Sequence, residues 1–289
     1  MGVLDVRLLI FGLGYTAGFY AAEAAAGFTQ VTATRRAPEI ATKGRLRLLP
    51  FDGASESVDP RVRGALAEAE ALLVSAGPDA QGDPALRRLA AEIGAAPHVR
   101  KIVYLSTIGV YGDHQGAWID ESAEARPSNE RTRWRVAVEK QWLDLGAKTG
   151  KQVYILRLSG IYGPGRSVLD KLRDGSAKRL IKPGQVFNRI HVADIARAID
   201  ACFLGPAEGG VFNITDDEPA PPQDVVTYGA KRLGVEPPPE QPFVAAELTP
   251  MARSFYGENK RVANKKMKEK LGVILAFPTY REGIKALAT

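Results

Sequence analysis

The sequence has 289 residues, of which 45% are hydrophobic and 25% are charged. This balance is typical of a soluble globular protein with enough chain to bury a substantial core. The formal net charge of +6 makes nucleic acid a conceivable partner. Much of that excess, however, lies between residues 260 and 270 without interleaved aromatic residues, a pattern typical of a solvated helix face. We therefore expect no nucleic-acid partner.

The single cysteine, Cys202, excludes an intramolecular disulfide and a cysteine-based metal cage. It lies in an apolar run, so we expect a small buried side chain there. His98 and His114 fall in predicted loops with no second ligand nearby, so no metal site is predicted. The apolar runs are too short to span a membrane, and the first residues lack the arrangement of a signal peptide. We expect a cytoplasmic protein with no membrane partner.

Residues 8–27 predict the first strand, turn and helix of a dinucleotide-binding unit. An apolar run stops at two glycines, and helix-forming residues follow directly. Gly12 permits the tight turn, and Gly14 lets a diphosphate approach backbone N–H groups. The alternative is a glycine turn that binds nothing. On the first interpretation the cofactor contacts Gly12, Leu13, Gly14, Tyr15 and Thr16.

The remaining pattern alternates strands and helices. Strands are predicted at residues 8–11, 30–34, 46–51, 71–75, 101–106 and 152–158, and helices at 16–26, 65–71, 84–93 and 128–148. The long last helix has Ser128 as a candidate N-cap and Glu130 in its first turn. Short connections and nearly all-apolar strands favour an α/β fold with a doubly wound parallel Rossmann sheet.

The pattern of alternating strands and helices changes after Gly160. Proline and glycine pairs break the later sequence into short pieces, which is typical of a smaller, loop-rich substrate-side region. We therefore predict an NAD(P)-binding Rossmann domain at residues 1–160, with residues 187–215 returning to it. Residues 161–289 are mainly the smaller C-terminal substrate region.

The end of the second strand predicts the type of cofactor. In a Rossmann unit this position holds the adenosine ribose, where an acidic residue suits NAD and an arginine suits the 2′-phosphate of NADP. Here it carries Arg35 and Arg36 and no carboxylate, so we predict NADP over NAD. The alternative is that both arginines are merely solvated. From their places after strand ends, Asp52 is expected near the adenine, and Ala76 and Gly77 near the middle of the cofactor.

Four further segments occur in a recognisable order: residues 105–112, 156–165, 190–196 and 211–214. Together with the glycine turn they resemble the extended short-chain dehydrogenase/reductase superfamily, in its NAD-dependent epimerase/dehydratase branch. The resemblance covers residues 8–214 and continues loosely through residues 259–261 and 271–272. It implies a Rossmann domain, a substrate held against a small C-terminal region, and a homodimer paired through the long helix.

The family also implies a catalytic Ser or Thr followed by a Tyr-x-x-x-Lys pair. Thr107 matches the first member. In the family a glutamate usually follows the lysine four residues later, and Glu139 is taken as that glutamate. The lysine position is then Arg135, and the tyrosine position is Arg131. The family tyrosine transfers a proton, whereas arginine stays protonated and is suited instead to stabilising an oxyanion or binding phosphate. The literal Tyr-x-x-x-Lys at Tyr256 lies far beyond the sixth strand and is interpreted as coincidental.

Three residues are predicted on the substrate side. Tyr111 and Tyr162 follow strand ends, and the resemblance implies that they contact substrate. Arg189 is placed to meet an anionic substrate group, with surface solvation as the alternative. His191 begins a predicted helix, and we interpret it as a helix-end contact rather than a general base.

These features support two hypotheses. In the first, the protein is an atypical NADP-binding oxidoreductase or epimerase-like enzyme that acts on a small polar or sugar-nucleotide substrate. Thr107 then polarises the reacting carbonyl, while another group or water supplies the proton. In the second, the protein is a non-catalytic NADP(H)-binding redox sensor or regulatory module, because the usual proton-transfer pair is missing.

Overall fold

An eight-stranded sheet forms the centre of the computed structural model, which describes residues 6–37 and 40–288. The predicted outer limits at residues 1 and 289 lie outside these ranges. In chain order, the strands are β1 (Arg7–Phe11), β2 (Gln30–Arg35), β3 (Ala41–Lys43), β4 (Leu46–Pro50), β5 (Ala71–Val74), β6 (Lys101–Thr107), β7 (Trp118–Ile119), β8 (Gln152–Leu158), β9 (Gly160–Tyr162), β10 (Arg179–Ile181), β11 (Arg189–His191), β12 (Gly210–Ile214), β13 (Glu240–Pro242) and β14 (Arg261–Val262).

The helices surround this sheet and build the smaller region. They are α1 (Tyr15–Phe19), α2 (Pro60–Glu68), α3 (Pro84–Ala95), α4 (Glu130–Thr149), α5 (Val168–Arg173), α6 (Val192–Leu204), α7 (Pro222–Leu233), α8 (Pro250–Phe255), α9 (Lys265–Leu271) and α10 (Tyr280–Leu287). Helical turns continue past α1 as a π-helical segment, Tyr20–Ala24, and a 3-10 turn, Ala25–Gly27.

The strand order of the sheet is β12-β8-β6-β5-β1-β2-β4-β3. Neighbouring strands are parallel, except that β3 runs antiparallel to β4 at the edge. The chain moves outward from β1 first through β2 and then, on the other side, through β5. The carboxyl ends of β1 and β5 therefore form the topological switch point at which sheets of this kind bind ligands. The predicted α/β fold with a large parallel sheet is confirmed.

Alternate residues of β1 pack into two separate hydrophobic cores, as expected for a strand that is covered on both faces. Leu8 and Ile10 join the cluster that includes α6 and Cys202. Leu9 and Phe11 join the opposite cluster with residues of α2, α3 and α4. Cys202 is buried, and burial raises the pKa of its thiol. This double burial holds β1, and with it the turn that follows, in the middle of the molecule.

Two predicted helix starts are wrong because local capping was misjudged. The helix predicted at residues 65–71 is α2, which begins at Pro60 because Asp59 caps it by accepting from Arg61 N–H. The helix predicted from Ser128 is α4, and its N-cap is Asn129, whose side chain accepts from Thr132 N–H. The Ser128 hydroxyl instead donates to Glu258.

Other boundaries differ by smaller amounts. The first helix begins at Tyr15 rather than at residue 16, and the short strand β3 was not predicted. The interpretation of residues 260–270 as one solvated helix face is wrong in part. Lys260 precedes α9, is buried, and donates from Nζ to Gly112 O at 2.6 Å while pairing with Glu258.

The smaller region packs α5, α7 and α10 around a cluster that includes Leu169, Val225 and Ile284. Outside the large sheet, β9 pairs with β11, β10 with β13, and β7, from the segment between β6 and α4, with β14. In contrast, β12 joins the large sheet beside β8. None of the helices in the described residues is long and apolar enough to cross a membrane.

A group of buried polar side chains lies where β11 meets α6 and α10. Asp216 is 1% exposed, and its Oδ1 accepts from Glu218 N–H. Its Oδ2 has no hydrogen-bond partner among the described residues, and burial raises the pKa of this carboxyl to about 8. His191 caps α6 through Nδ1, and burial lowers the pKa of its imidazole to about 4. Neutral forms of both groups are therefore favoured in the folded protein.

Alanine substitutions at two helical glycines should have opposite effects on stability. A Cβ at Gly146 in α4 would lie 2.7 Å from Val153 Cγ2, whereas a Cβ at Gly64 in α2 would meet nothing within 4 Å. We expect Gly146→Ala to lower the free energy of unfolding by about 1–3 kcal/mol through overpacking. Gly64→Ala should raise it by up to about 1 kcal/mol through helix propensity. Urea titration measures both, and effects of the same sign would contradict the prediction.

Asp216→Asn should become progressively more stabilising, relative to the parent protein, as pH rises from about 4 to about 8. The pKa of Asp216 is about 8 in the folded chain against an ordinary value of 3.8. The folded state therefore binds the additional proton in this window, and the parent loses stability as pH rises. Asparagine has no such proton and keeps Oδ1 for Glu218. Urea unfolding at several pH values tests this, and a pH-independent difference would contradict it.

Candidate functional site

The turn after β1 lies against the ends of both neighbouring strands. Gly12 has a φ of +90°, and a Cβ there would lie 2.7 Å from Ala76 N. Its N–H donates to Thr34 Oγ1 at 3.1 Å, and Leu13 N–H donates to Thr34 O at 2.8 Å. Only glycine satisfies both the backbone conformation and the close approach at this position. Gly12 therefore permits the turn, as predicted, because of its positive φ and its close approach to Ala76.

Gly14 presents open backbone at the start of α1. A Cβ built there would meet nothing within 4 Å. The first N–H groups of a helix have no partner within the helix, so they are available to an anion such as a diphosphate. Thr16, by contrast, is buried, with 7% of the residue exposed. The Tyr15 hydroxyl donates to Pro164 O at 3.0 Å.

The predicted adenosine end lies beside this turn. Arg35 ends β2, is exposed, and donates from Nε to Leu13 O at 3.0 Å. Arg36 follows it and is also exposed. Asp52 uses both carboxylate oxygens within its own loop, accepting from Ser55 and Ala54, and these hydrogen bonds lower its pKa.

The predicted middle of the cofactor site lies at the end of β5. Ala76 N–H donates to Phe11 O at 2.9 Å, which keeps Ala76 against the glycine turn. A Cβ at Gly77 would lie 3.2 Å from Arg135 Nη2. The structure therefore brings Arg135 of α4 to the same edge of the sheet as the glycine turn.

Arg135 is held in place by β6. Its Nη1 donates to Leu105 O at 2.6 Å and to the Tyr104 hydroxyl at 3.2 Å, and the guanidinium lies 5.7 Å from the Tyr104 ring centroid. Arg131, one turn earlier, is exposed. Arg135 can thus supply a fixed positive charge, whereas the placing of these arginines at the tyrosine and lysine positions of the family stays a prediction.

Thr107 ends β6 and begins a 3-10 turn, Ile108–Tyr111. Its Oγ1 accepts from Gly109 N–H at 3.1 Å, and the side chain is half-buried. Within the described part of the chain, no hydrogen bond uses the hydroxyl hydrogen of Thr107. The arrangement orients the oxygen through the backbone and leaves its O–H available to donate to a substrate oxygen.

The two predicted substrate tyrosines direct their hydroxyls into the protein. Tyr111 is fully buried and donates to Asn213 Oδ1 at 2.8 Å. Tyr162 is 8% exposed, and its hydroxyl donates to Thr279 O at 3.5 Å. Its ring packs edge-on against His191. The structure therefore does not gather these hydroxyls with Thr107 at an open surface, and their contact with substrate stays a prediction.

Arg189 is half-buried in the smaller region. Its Nη1 donates to Phe187 O at 2.9 Å and Ala220 O at 3.1 Å, and the guanidinium is 5.9 Å from the Tyr280 ring centroid. Burial lowers the pKa of this arginine, with Asp216 opposing the shift. In this conformation Arg189 ties β11 to the loop before α7, and its contact with an anionic substrate stays a prediction.

A buried ion pair beside the end of β6 was not predicted from the sequence. Arg157 of β8 donates from Nη2 to Glu139 Oε2 at 2.7 Å, and Ser106 Oγ donates to Glu139 Oε1 at 2.5 Å. The Arg157 guanidinium also lies 4.7 Å from the Tyr111 ring centroid. The available signal was a polar residue in each of two apolar strands, Ser106 and Arg157, which pair directly in the sheet.

Among the described residues, no three His, Cys, Asp or Glu side chains are grouped closely enough to hold a metal ion. The groups around the glycine turn and Thr107 include backbone N–H groups, a hydroxyl and the guanidiniums of Arg35 and Arg135. Such groups suit an anionic organic ligand.

Comparisons with known proteins agree with this geometry. Residues 85–215 match the family model of the NAD dependent epimerase/dehydratase family. The chain is 32% identical over 181 residues to protein YeeZ of Escherichia coli K12, which covers 60% of this chain and 63% of YeeZ. The match therefore spans under two thirds of that relative's length.

Solved structures resemble the whole described fold. A functionally unknown conserved protein from Silicibacter pomeroyi DSS is 44% identical with a TM-score of 0.84, and 98% of each chain is covered. UDP-glucuronic acid 4-epimerase from Bacillus cereus, in complex with NAD, has a TM-score of 0.76 at 14% identity, which covers 98% of this chain and 96% of the other. Residues 85–215 thus carry the domain of the NAD dependent epimerase/dehydratase family, and the chain as a whole has the fold of the epimerase from Bacillus cereus.

Proposed function

We propose that this protein is an NADP-dependent oxidoreductase that acts on a small polar substrate carrying a carbonyl group. The observation that carries the proposal is the placement of Arg35 at the end of β2, against the glycine turn through Leu13 O. The same edge of the sheet holds Thr107, whose O–H is available to a substrate. A cofactor cradle and a substrate hydrogen-bond donor therefore lie at one ligand-binding edge.

The choice of NADP rests on charge. Arg35 is the last residue of β2, Arg36 follows it, and both are exposed. The end of β2 carries no carboxylate that would repel a 2′-phosphate. NAD is the competing ligand, because the epimerase from Bacillus cereus that shares this fold is described in complex with NAD.

The bound nicotinamide cofactor would supply hydride transfer, and the glycine turn, Arg35 and Gly77 would hold it. On the protein side, Thr107 donates a hydrogen bond to the substrate oxygen and stabilises charge that develops there. Arg135 adds a fixed positive charge beside Gly77. Tyr104 is unsuited as a proton donor, because burial raises the pKa of its phenol and the ring lies within the core. Water or a group of the substrate itself then supplies the proton.

A non-catalytic NADP(H)-binding sensor is the second candidate. It is favoured by Arg131 and Arg135, because a guanidinium is suited to binding an anion and not to the proton transfer performed by the family tyrosine. It is also favoured by the buried hydroxyls of Tyr111 and Tyr162. A sugar-nucleotide substrate and pairing of two copies through α4 stay predictions of the resemblance, and a cytoplasmic location stays a prediction from the sequence pattern.

Arg35→Ala should reduce the preference for NADPH. A charge-assisted hydrogen bond is worth about 1.5–3 kcal/mol, so the Kd for NADPH should rise about 10- to 100-fold. The Kd for NADH should stay unchanged. Fluorescence titration measures both, with Arg232→Ala on α7 as the control for loss of one exposed positive charge. Comparable affinities of the parent protein for NADPH and NADH would contradict the assignment of NADP.

Thr107→Ala should lower kcat about 10²- to 10³-fold, the usual cost of removing one donor to a developing oxyanion. The Kd for NADPH should stay unchanged, and Thr107→Ser, which keeps the hydroxyl, should retain activity. Stopped-flow absorbance of NADPH with a panel of carbonyl compounds and nucleotide sugars measures the turnover. Tight NADPH binding without hydride transfer to any member of the panel would favour the sensor.

A further inference from the structure

The turn between β9 and α5 reaches across to the first residue of α1. Gly163 and Arg166 close this turn by exchanging backbone hydrogen bonds of 3.1 and 3.0 Å. The carbonyl of Pro164, inside the turn, accepts from the Tyr15 hydroxyl at 3.0 Å. A Cβ at Gly163 would lie 2.7 Å from that hydroxyl, so the turn and Tyr15 are in close contact. A segment 149 residues away along the chain thus lies beside the glycine turn.

The side chain of Arg166, two residues after Pro164, packs on the Tyr15 ring. Its guanidinium carbon lies 5.4 Å from the ring centroid, and the residue is exposed. In the described part of the chain it forms no ion pair and donates no side-chain hydrogen bond. Asp170, which also acts electrostatically on Tyr15, uses its Oδ2 to accept from Ser167 N–H and Oγ. The Arg166 fork therefore keeps its donors available.

We propose that Arg166 binds the diphosphate bridge of the dinucleotide cofactor from the side opposite Arg35. The inference rests on the proposed function, because it assumes that a dinucleotide occupies the glycine turn. Tyr15 directly follows Gly14, where a built Cβ would meet nothing within 4 Å, and the Arg166 guanidinium lies against the Tyr15 ring. A planar arginine fork matches phosphate oxygens and binds them with two parallel hydrogen bonds.

The two arginines approach the turn from different elements. Arg35 extends from β2 and contacts Leu13 O, which is the adenosine side of the turn. Arg166 arrives from the smaller region and contacts Tyr15. Arg35 therefore discriminates NADP from NAD through the 2′-phosphate, whereas Arg166 acts on a group that both cofactors share. This difference separates the two roles experimentally.

The test compares ligands that contain or lack the diphosphate. Kd values for NADPH, NADH and adenosine 2′-monophosphate are measured by calorimetry for the parent protein, Arg166→Met, Arg166→Lys and Arg173→Met. Arg173 is the matched control, since it is an exposed arginine at the end of α5. Thermal melting of each variant without ligand confirms that it is folded.

We expect Arg166→Met to raise the Kd for NADPH and for NADH about tenfold each, with the Kd for adenosine 2′-monophosphate unchanged. The dependence of NADPH affinity on salt should weaken in the same variant. Arg166→Lys should recover part of the affinity, because it keeps the charge but loses the fork. Arg173→Met should match the parent protein.

Other outcomes overturn the proposal in distinguishable ways. If the parent protein binds dinucleotides and Arg166→Met binds them equally well, Arg166 has no part in binding and the proposed function stands. An equal loss of affinity for adenosine 2′-monophosphate would show a general electrostatic effect instead of a diphosphate contact. If the parent protein binds neither dinucleotide, the proposed function fails, and this inference fails with it.

Discussion

The close approach of Gly12 to Ala76 is the contact on which the candidate cofactor site depends. Side-chain volume is forbidden there, and the N–H of Gly12 is bonded to Thr34 Oγ1. Because β2 and β5 flank β1, the turn at Gly12 contacts the ends of both neighbouring strands. The carboxyl ends of β1, β2 and β5 therefore lie together at one edge of the sheet. The strand that leads into the turn is buried on both faces, so the edge cannot shift without disturbing both cores.

Three guanidiniums from distant parts of the chain lie around this edge. Arg35 lies at the end of β2, Arg135 beside Gly77, and Arg166 on Tyr15. Each guanidinium belongs to a different layer of the fold: the sheet, the long helix and the smaller region. The basic residues between 260 and 270 have another role in part, because Lys260 is buried against the loop after β6.

The candidate catalytic end depends on a second constraint, the buried pair of Glu139 and Arg157. It joins α4 to β8, and Ser106 adds β6 to the same network. Thr107 is the next residue along β6, so its position relative to α4 follows from that network. Burying two charges is costly unless they are well paired and hydrogen-bonded, as these are. The pair therefore aligns Thr107 with the helix that carries Arg135.

The sequence by itself determined the sheet and the place of the glycine turn after β1, because apolar strand runs and glycine turns are local signals and parallel strands share one carboxyl edge. Gly12, Arg35 and Gly77 were predicted together for that reason. Tertiary structure alone decided where Tyr111 and Tyr162 direct their hydroxyls, and that Arg166 lies on Tyr15. These contacts join distant segments, such as Tyr111 and Asn213, which are 102 residues apart. Side-chain direction at such distances depends on packing between layers, which local sequence patterns do not encode.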